Sequence, residues 1–229
     1  MGFGLKRHFF VFLLLSGLFA LYAQEIITAE RYLESVADNY GNIRDYEARI
    51  IIRSGNSTMY GTVNHLIPSF LRIDFTSPAS QVILYDGNLL TIYLPEYQAI
   101  LNQSISASRR PSGASMATAQ GLVLLRRNYV PAFVTGPSPV PLDPGSNEMV
   151  VKLRLTRRAG SENFREIFLD IDPNTKLIRR IEGRTIADST VRFDFSEIKI
   201  NQGIPEQRFI YDSPASANLY NNFLFRDSE

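Results

Sequence analysis

From Tyr46 the chain alternates: Tyr46, Ala48, Ile50 and Ile52 are interleaved with Glu47, Arg49 and Arg53, and Ile51 is the one exception. A period of two puts successive side chains on opposite faces of a strand. Similar signals run through residues 58–66, 70–76, 81–85, 89–94 and 97–101, with Asp86-Gly87-Asn88 as a tight hairpin turn and Pro95-Glu96 as another. They resume at 149–156, 164–171, 176–184 and 190–200, with Asp172-Pro173-Asn174-Thr175 as a turn, and end in a short strand at 209–211. The pattern predicts a mainly β protein with some helix, an antiparallel meander of about eleven strands.

Two segments carry a helical period instead. Thr28 precedes Tyr32, Leu33, Val36, Ala37 and Tyr40 at three- and four-residue spacing, with Gly41 as the stop. After a small, polar stretch at 104–115, Met116, Ala119, Leu122, Val123 and Leu125 share one helical face that ends at Arg126-Arg127. The following segment holds Pro131, Pro137, Pro139, Pro141 and Pro144 beside Phe133, Val134, Val140 and Leu142. Its backbone is stiff and poor in donors, which excludes a central strand.

Parity along the later strands separates a dry face from a wet one. Val151, Leu153 and Leu155 oppose Lys152, Arg154 and Thr156; Ile167, Leu169 and Ile171 oppose Glu166 and Asp170; Val191, Phe193 and Phe195 oppose Arg192 and Asp194. After Phe195 the apolar parity slips to Ile198 and Ile200, the mark of a bulge near Ser196-Glu197 that curls the sheet. Such a sheet must cover its dry face, and the two helices and the Pro-rich loop are the cover expected for it.

The first residues, MGFGLKRHFFVFLLLSGLFALYAQ, place Lys6 and Arg7 before an apolar run and end in small Ala20 and Ala23. The run is shorter than the ~20 residues that span a bilayer, so a cleavable signal peptide is expected at 1–23, with a membrane anchor as the alternative. Leu21 is larger than the small residue preferred there, which leaves the cleaved bond open. Residues 24–229 are then expected to form one exported, unanchored, soluble domain. Its charge moves from +1 to −1 when Lys6 and Arg7 leave.

The chemistry is bounded mainly by what is scarce. With 24 Lys+Arg against 23 Asp+Glu there is no basic footprint for nucleic acid. Cysteine is absent, and the expected mature chain keeps a single histidine, His65, inside a predicted strand. No Gly-x-Ser-x-Gly elbow and no glycine-rich phosphate loop occurs. Glu166, Asp170, Asp172 and Asp194 fall on the wet parity or in turns. The expectation is therefore no catalytic residue, no metal and no cofactor. Arg109-Arg110 and Arg126-Arg127 read as solvated charges, with an acidic partner or lipid headgroup as the alternative.

At SFLRIDFTSPASQVILYDGNLLTIYLPEYQAI the chain resembles the periplasmic outer-membrane lipoprotein carrier (LolA-like) family. The markers are Pro68, Pro78, the strand 82–85, Asp86-Gly87 and Ile92-Tyr93-Leu94, in that order. The leading helix, the turn at 172–175 and the ending FIYDSPASANLY extend the likeness over most of 25–220. The resemblance implies an open antiparallel β-barrel capped by helices, whose apolar cavity takes the acyl chains of a lipoprotein from an inner-membrane transporter and hands them to an outer-membrane acceptor. It implies a periplasmic location, and a monomer is expected. Well-studied carriers hold a basic residue before the first of these prolines, where this chain has Ile67, so lid latching is expected to differ. The family's acceptor is anchored through a cysteine, which this chain lacks.

On this reading Ile50, Ile52, Ile73, Phe75, Leu84, Leu90 and Ile92 line the cavity. Met116, Leu122, Leu125 and Phe133 belong to a lid spanning about 104–148, and its helix fills part of the cavity when no ligand is bound. At ~0.8 kcal/mol per buried CH₂ a long acyl chain gains roughly 10 kcal/mol in a dry cavity, so release needs a competitor such as a refilling lid. The alternatives are a general exported lipid or glycolipid binder, and a lipoprotein-sensing envelope-stress regulator, which usually carries a second domain.

Overall fold

The computed structural model describes residues 27–105, 117–159 and 162–223, so the leader expected at 1–23 and Met116 lie outside the described residues. Helix α1 (Ala29–Gly41) starts where the Thr28 hydroxyl accepts the Arg31 N–H at 3.2 Å, and it buries the apolar stripe from Tyr32 to Tyr40. Six strands follow: β1 (Asp45–Ser54), β2 (Ser57–Leu66), β3 (Phe70–Ser77), β4 (Val82–Tyr85), β5 (Leu89–Leu94) and β6 (Ala99–Ser104). Helix α2 (Ala119–Asn128) leads into β7 (Tyr129–Phe133) and β8 (Val140–Pro141). Then come β9 (Met149–Arg157), β10 (Phe164–Ile171), β11 (Ile178–Thr185), β12 (Thr190–Ile200) and β13 (Asn218–Asn221).

These strands form one sheet in the order β13-β6-β5-β4-β3-β2-β1-β12-β11-β10-β9-β7, with β8 also on β9. β13 adds parallel to β6 and the other pairs are antiparallel. The end strands do not pair with each other among the described residues, so the sheet is a curled, open barrel. The Asp86 carboxylate closes the β4–β5 turn by accepting the N–H groups of Asn88 and Leu89 at 2.9 and 2.8 Å, with Gly87 at φ +102°. Asp172 does the same for Asn174 and Thr175 at 2.8 and 2.7 Å.

The bulge lies where parity slips. Glu47 pairs with Lys199 and Arg49 with Ser196, so β12 carries one extra residue there, and Glu197 sits at φ +51°. A second irregularity falls between Tyr60 and Gly61, which pair with Ser77 and Phe75, so β3 carries one extra residue there. A Cβ on Gly61 would stand 2.5 Å from the Asp74 carbonyl oxygen, a backbone atom that cannot swing away. Gly61→Ala is therefore expected to lower stability by about 1–3 kcal/mol in thermal unfolding, through displacement of β3.

Four expectations are corrected. The prolines do not lie over the dry face: residues 129–142 follow the outer edge of β9, with Val134 N–H on the Lys152 carbonyl and Leu142 N–H on that of Glu148. An edge strand is where a missing donor costs least. Asp143 is held on the wet face by the Arg180 guanidinium at 2.9 and 2.8 Å, and Lys152 donates to the Leu142 carbonyl at 2.9 Å. Only Phe133 of this segment's expected lid residues reaches the core. Second, residues 209–211 are not a strand. A 3₁₀ turn covers Glu206–Phe209, and the Arg72 guanidinium takes the carbonyls of Arg208 and Ile210 at 2.9 and 3.0 Å. Third, the described residues form thirteen strands where about eleven were expected, since β7, β8 and β13 join the sheet while 209–211 does not. Fourth, Leu84 does not line the interior: with Phe70 and Ile100 it lies on the outer face of β3–β6, beneath the C-terminal segment.

Candidate functional site: the helix-covered interior of the sheet

Register assembles the interior from residues far apart in sequence. Ala48 stands opposite Val63, Val63 opposite Ile73, Ile73 opposite Ile83, Ile83 opposite Ile92, and Ile92 opposite Leu101. This apolar rung crosses six strands. Beyond β1 it continues through Phe195 beside Ile50, Phe193 beside Ile52 and Ile181, and then Leu169 and Leu153. Ile50, Ile52, Ile73, Phe75, Leu90 and Ile92 all contribute to this one core.

Leu84 does not. It pairs with Arg72 and Thr91, whose parity points to the other face, and it lines an outer cleft of about 770 Å³ between β3–β6 and the C-terminal segment. The short strand β4 is apolar at all four positions, so alternation within it could not distinguish inside from outside.

Helix α2 is set by Thr118, whose hydroxyl accepts the Gly121 N–H at 3.0 Å. Leu122 and Leu125 enter the core, the former with no exposed surface, while Val123 and Leu124 face outward. α2 packs against α1 and β7. The Arg126 guanidinium meets the Glu34 carboxylate at 2.6 Å across the two helices, and Phe133 packs tilted on Tyr32 at 5.9 Å. The Lys176 ammonium lies 4.2 Å above the other ring contact of this corner, Tyr32, whose hydroxyl is pushed up to about 12 by burial. Ile67 is half exposed in the β2–β3 turn.

Between helices and sheet a void of about 10 Å³ remains, bordered by Tyr40, Tyr46, Ala117, Leu177 and Phe195. Leu122 and Leu125 of α2 are buried in the same core as this lining. Sequence reasoning missed the contacts that α1 makes with α2 and β7 through Glu34 and Tyr32. Glu34 follows Leu33 on the helix, but nothing local marks it as the partner of Arg126.

No helix among the described residues is long and apolar enough to cross a membrane, and no cluster of three metal-ligating side chains occurs among them. No protein-family model matches the chain. It is 23% identical over 177 residues to an outer-membrane lipoprotein carrier protein of Dechloromonas aromatica, covering 76% of this chain and 78% of that one. Among solved structures it is similar to an uncharacterized conserved protein from Thermus thermophilus, with a TM-score of 0.54 at 15% identity, covering 84% of this chain and 98% of the other. It is also similar to the complex of Pseudomonas aeruginosa MucA and MucB, with a TM-score of 0.51 at 16% identity and 84% coverage, although it spans only 63% of that chain. The chain thus resembles an outer-membrane lipoprotein carrier in sequence, and it shares the fold of the Thermus thermophilus protein and of the MucA/MucB structure.

Proposed function

We propose that this protein is a periplasmic carrier that shelters the acyl chains of lipoproteins between the inner face of its sheet and the two helices, and moves them toward the outer membrane. One observation carries the reading: an apolar rung that crosses the sheet is covered by a short helix whose Leu122 and Leu125 are buried in the same core. A lid that fills its own cavity supplies the competitor that release of a tightly held chain requires. The likeness to a lipoprotein carrier supports the ligand class. A donor in the inner membrane and an acceptor in the outer membrane are the partners this role calls for, and it needs no cofactor.

The test is native mass spectrometry of residues 24–229 with a triacylated lipopeptide, without detergent. A one-to-one complex is expected. A protein that takes up neither lipopeptide nor phospholipid at micromolar concentration removes the carrier role and returns the apolar face to plain core.

A further inference from the structure

One inner-face rung differs from its neighbours. Tyr46 stands opposite His65, His65 opposite Leu71, Leu71 opposite Tyr85, Tyr85 opposite Leu90, and Leu90 opposite Gln103. Four of these six side chains are polar, and each of the four is buried, with Tyr46 at 4%, His65 at 6% and Gln103 at 1% exposure. The adjacent rung, from Ala48 to Leu101, is wholly apolar. The interior is thus amphiphilic along its length: polar at the level of Tyr46 and hydrocarbon beyond it.

Two of the four have their bonds made. The Tyr85 hydroxyl donates to the Gly87 carbonyl at 2.6 Å, and the Gln103 amide donates to the Ser104 carbonyl at 3.1 Å. Tyr46 and His65 stack at 5.2 Å with their planes 13° apart, yet Tyr46 Oη and His65 Nδ1 have no hydrogen-bond partner among the described residues. A buried polar group left unsatisfied costs about 1–3 kcal/mol, and native folds retain few of them. Tyr46 borders the residual void beneath Ala117, at the entry to α2.

Resting on the carrier reading, we infer that Tyr46 and His65 are the polar seat that orients the ligand, receiving the carbonyl of an ester- or amide-linked acyl chain while its hydrocarbon lies along the apolar rungs. Both groups are neutral in this setting. Burial raises the Tyr46 hydroxyl far above its ordinary range, and it keeps the His65 imidazole unprotonated against the pull of Asp45. A seat without a cation suits an uncharged carbonyl, whereas a buried carboxylate or phosphate would lack a counter-charge there. The seat therefore selects acyl esters and amides over free fatty acids.

The experiment compares diacyl phosphatidylcholine with its dialkyl ether counterpart of equal chain length, and with a triacylated lipopeptide, in displacing a fluorescent acyl reporter. The wild type is expected to bind the ester about tenfold more tightly than the ether, as one neutral hydrogen bond would give. Tyr46→Phe is expected to erase that preference and leave ether binding unchanged, while melting no earlier than the wild type because it loses only an unpartnered hydroxyl. Equal binding of ester and ether by the wild type, or an equal loss on both in Tyr46→Phe, overturns the seat and leaves the carrier reading standing. Binding of no probe overturns both. An ester preference supports the seat, and the tighter of lipopeptide and phospholipid names the source of the acyl group.

Discussion

Leu122→Ala is expected to melt earlier than the wild type and to bind acyl chains more tightly. The closed protein buries Leu122 completely, against a core that includes Leu33 and Leu125. Truncating a leucine at such a site costs about 2–5 kcal/mol, the lost transfer energy plus the cavity left behind. On the proposed mechanism the ligand-bound form has α2 displaced and does not carry that loss, so the substitution lifts the closed state toward the open one. Apparent affinity is the intrinsic affinity scaled by the populated fraction of the competent state. An increase of at least about tenfold in acyl affinity is therefore expected, up to the point where the empty protein is fully open. Titration with a fluorescent acyl probe beside a thermal melt reads both effects. A lower melting temperature with unchanged or weaker binding would show that Leu122 is ordinary core and not a competitor for the ligand site.

Acid is expected to weaken the fold between about pH 6.5 and pH 4 through His65. Burial depresses its imidazole from 6.5 to about 4, while Asp45 pulls in the opposite direction and the Tyr46 ring covers one face. Below 6.5 the unfolded chain takes up a proton that the folded chain refuses, so unfolding is favoured as pH falls, and the effect levels off once the folded imidazole also protonates near 4. The stabilisation present above pH 6.5 amounts to about 3 kcal/mol at most. Asp45 is itself fixed: its carboxylate accepts the N–H groups of Gln202 and Gly203 at 2.7 and 3.0 Å, so it does not turn to the imidazole as a partner. Chemical denaturation at pH 7, 5.5 and 4 for the wild type and His65→Phe isolates the contribution. The wild type should lose more stability than the variant across that window, and parallel pH profiles for the two proteins would refute the assignment.

Both predictions rest on side chains whose strand or helix was readable in advance but whose surroundings were not. Alternation in the stretches that became β1, β3, β9, β10 and β12 marked the buried side correctly, because one face of each is polar. Leu84 was misplaced because a four-residue apolar strand carries no contrast between its faces. The proline segment was legible as unfit for a sheet centre, yet Asp143, which holds its end on the outer face, is paired by an arginine 37 residues away. Residues 209–211 were read as a strand, whereas Arg72, across the fold, takes the Ile210 carbonyl and that of Arg208 before it.

The sequence by itself determined most element types, the dry parity of most strands, the bulge beside Glu197 and the cap at Thr28, because each depends on residues within a turn or two of one another. Tertiary structure alone decided which strands are neighbours, and hence that Tyr46, His65, Tyr85 and Gln103 share a level, that Glu34 meets Arg126, and that the helices close the interior to a residual 10 Å³. Those outcomes come from long-range pairing and packing, whose energies depend on what stands opposite a residue, and no local pattern encodes that partner.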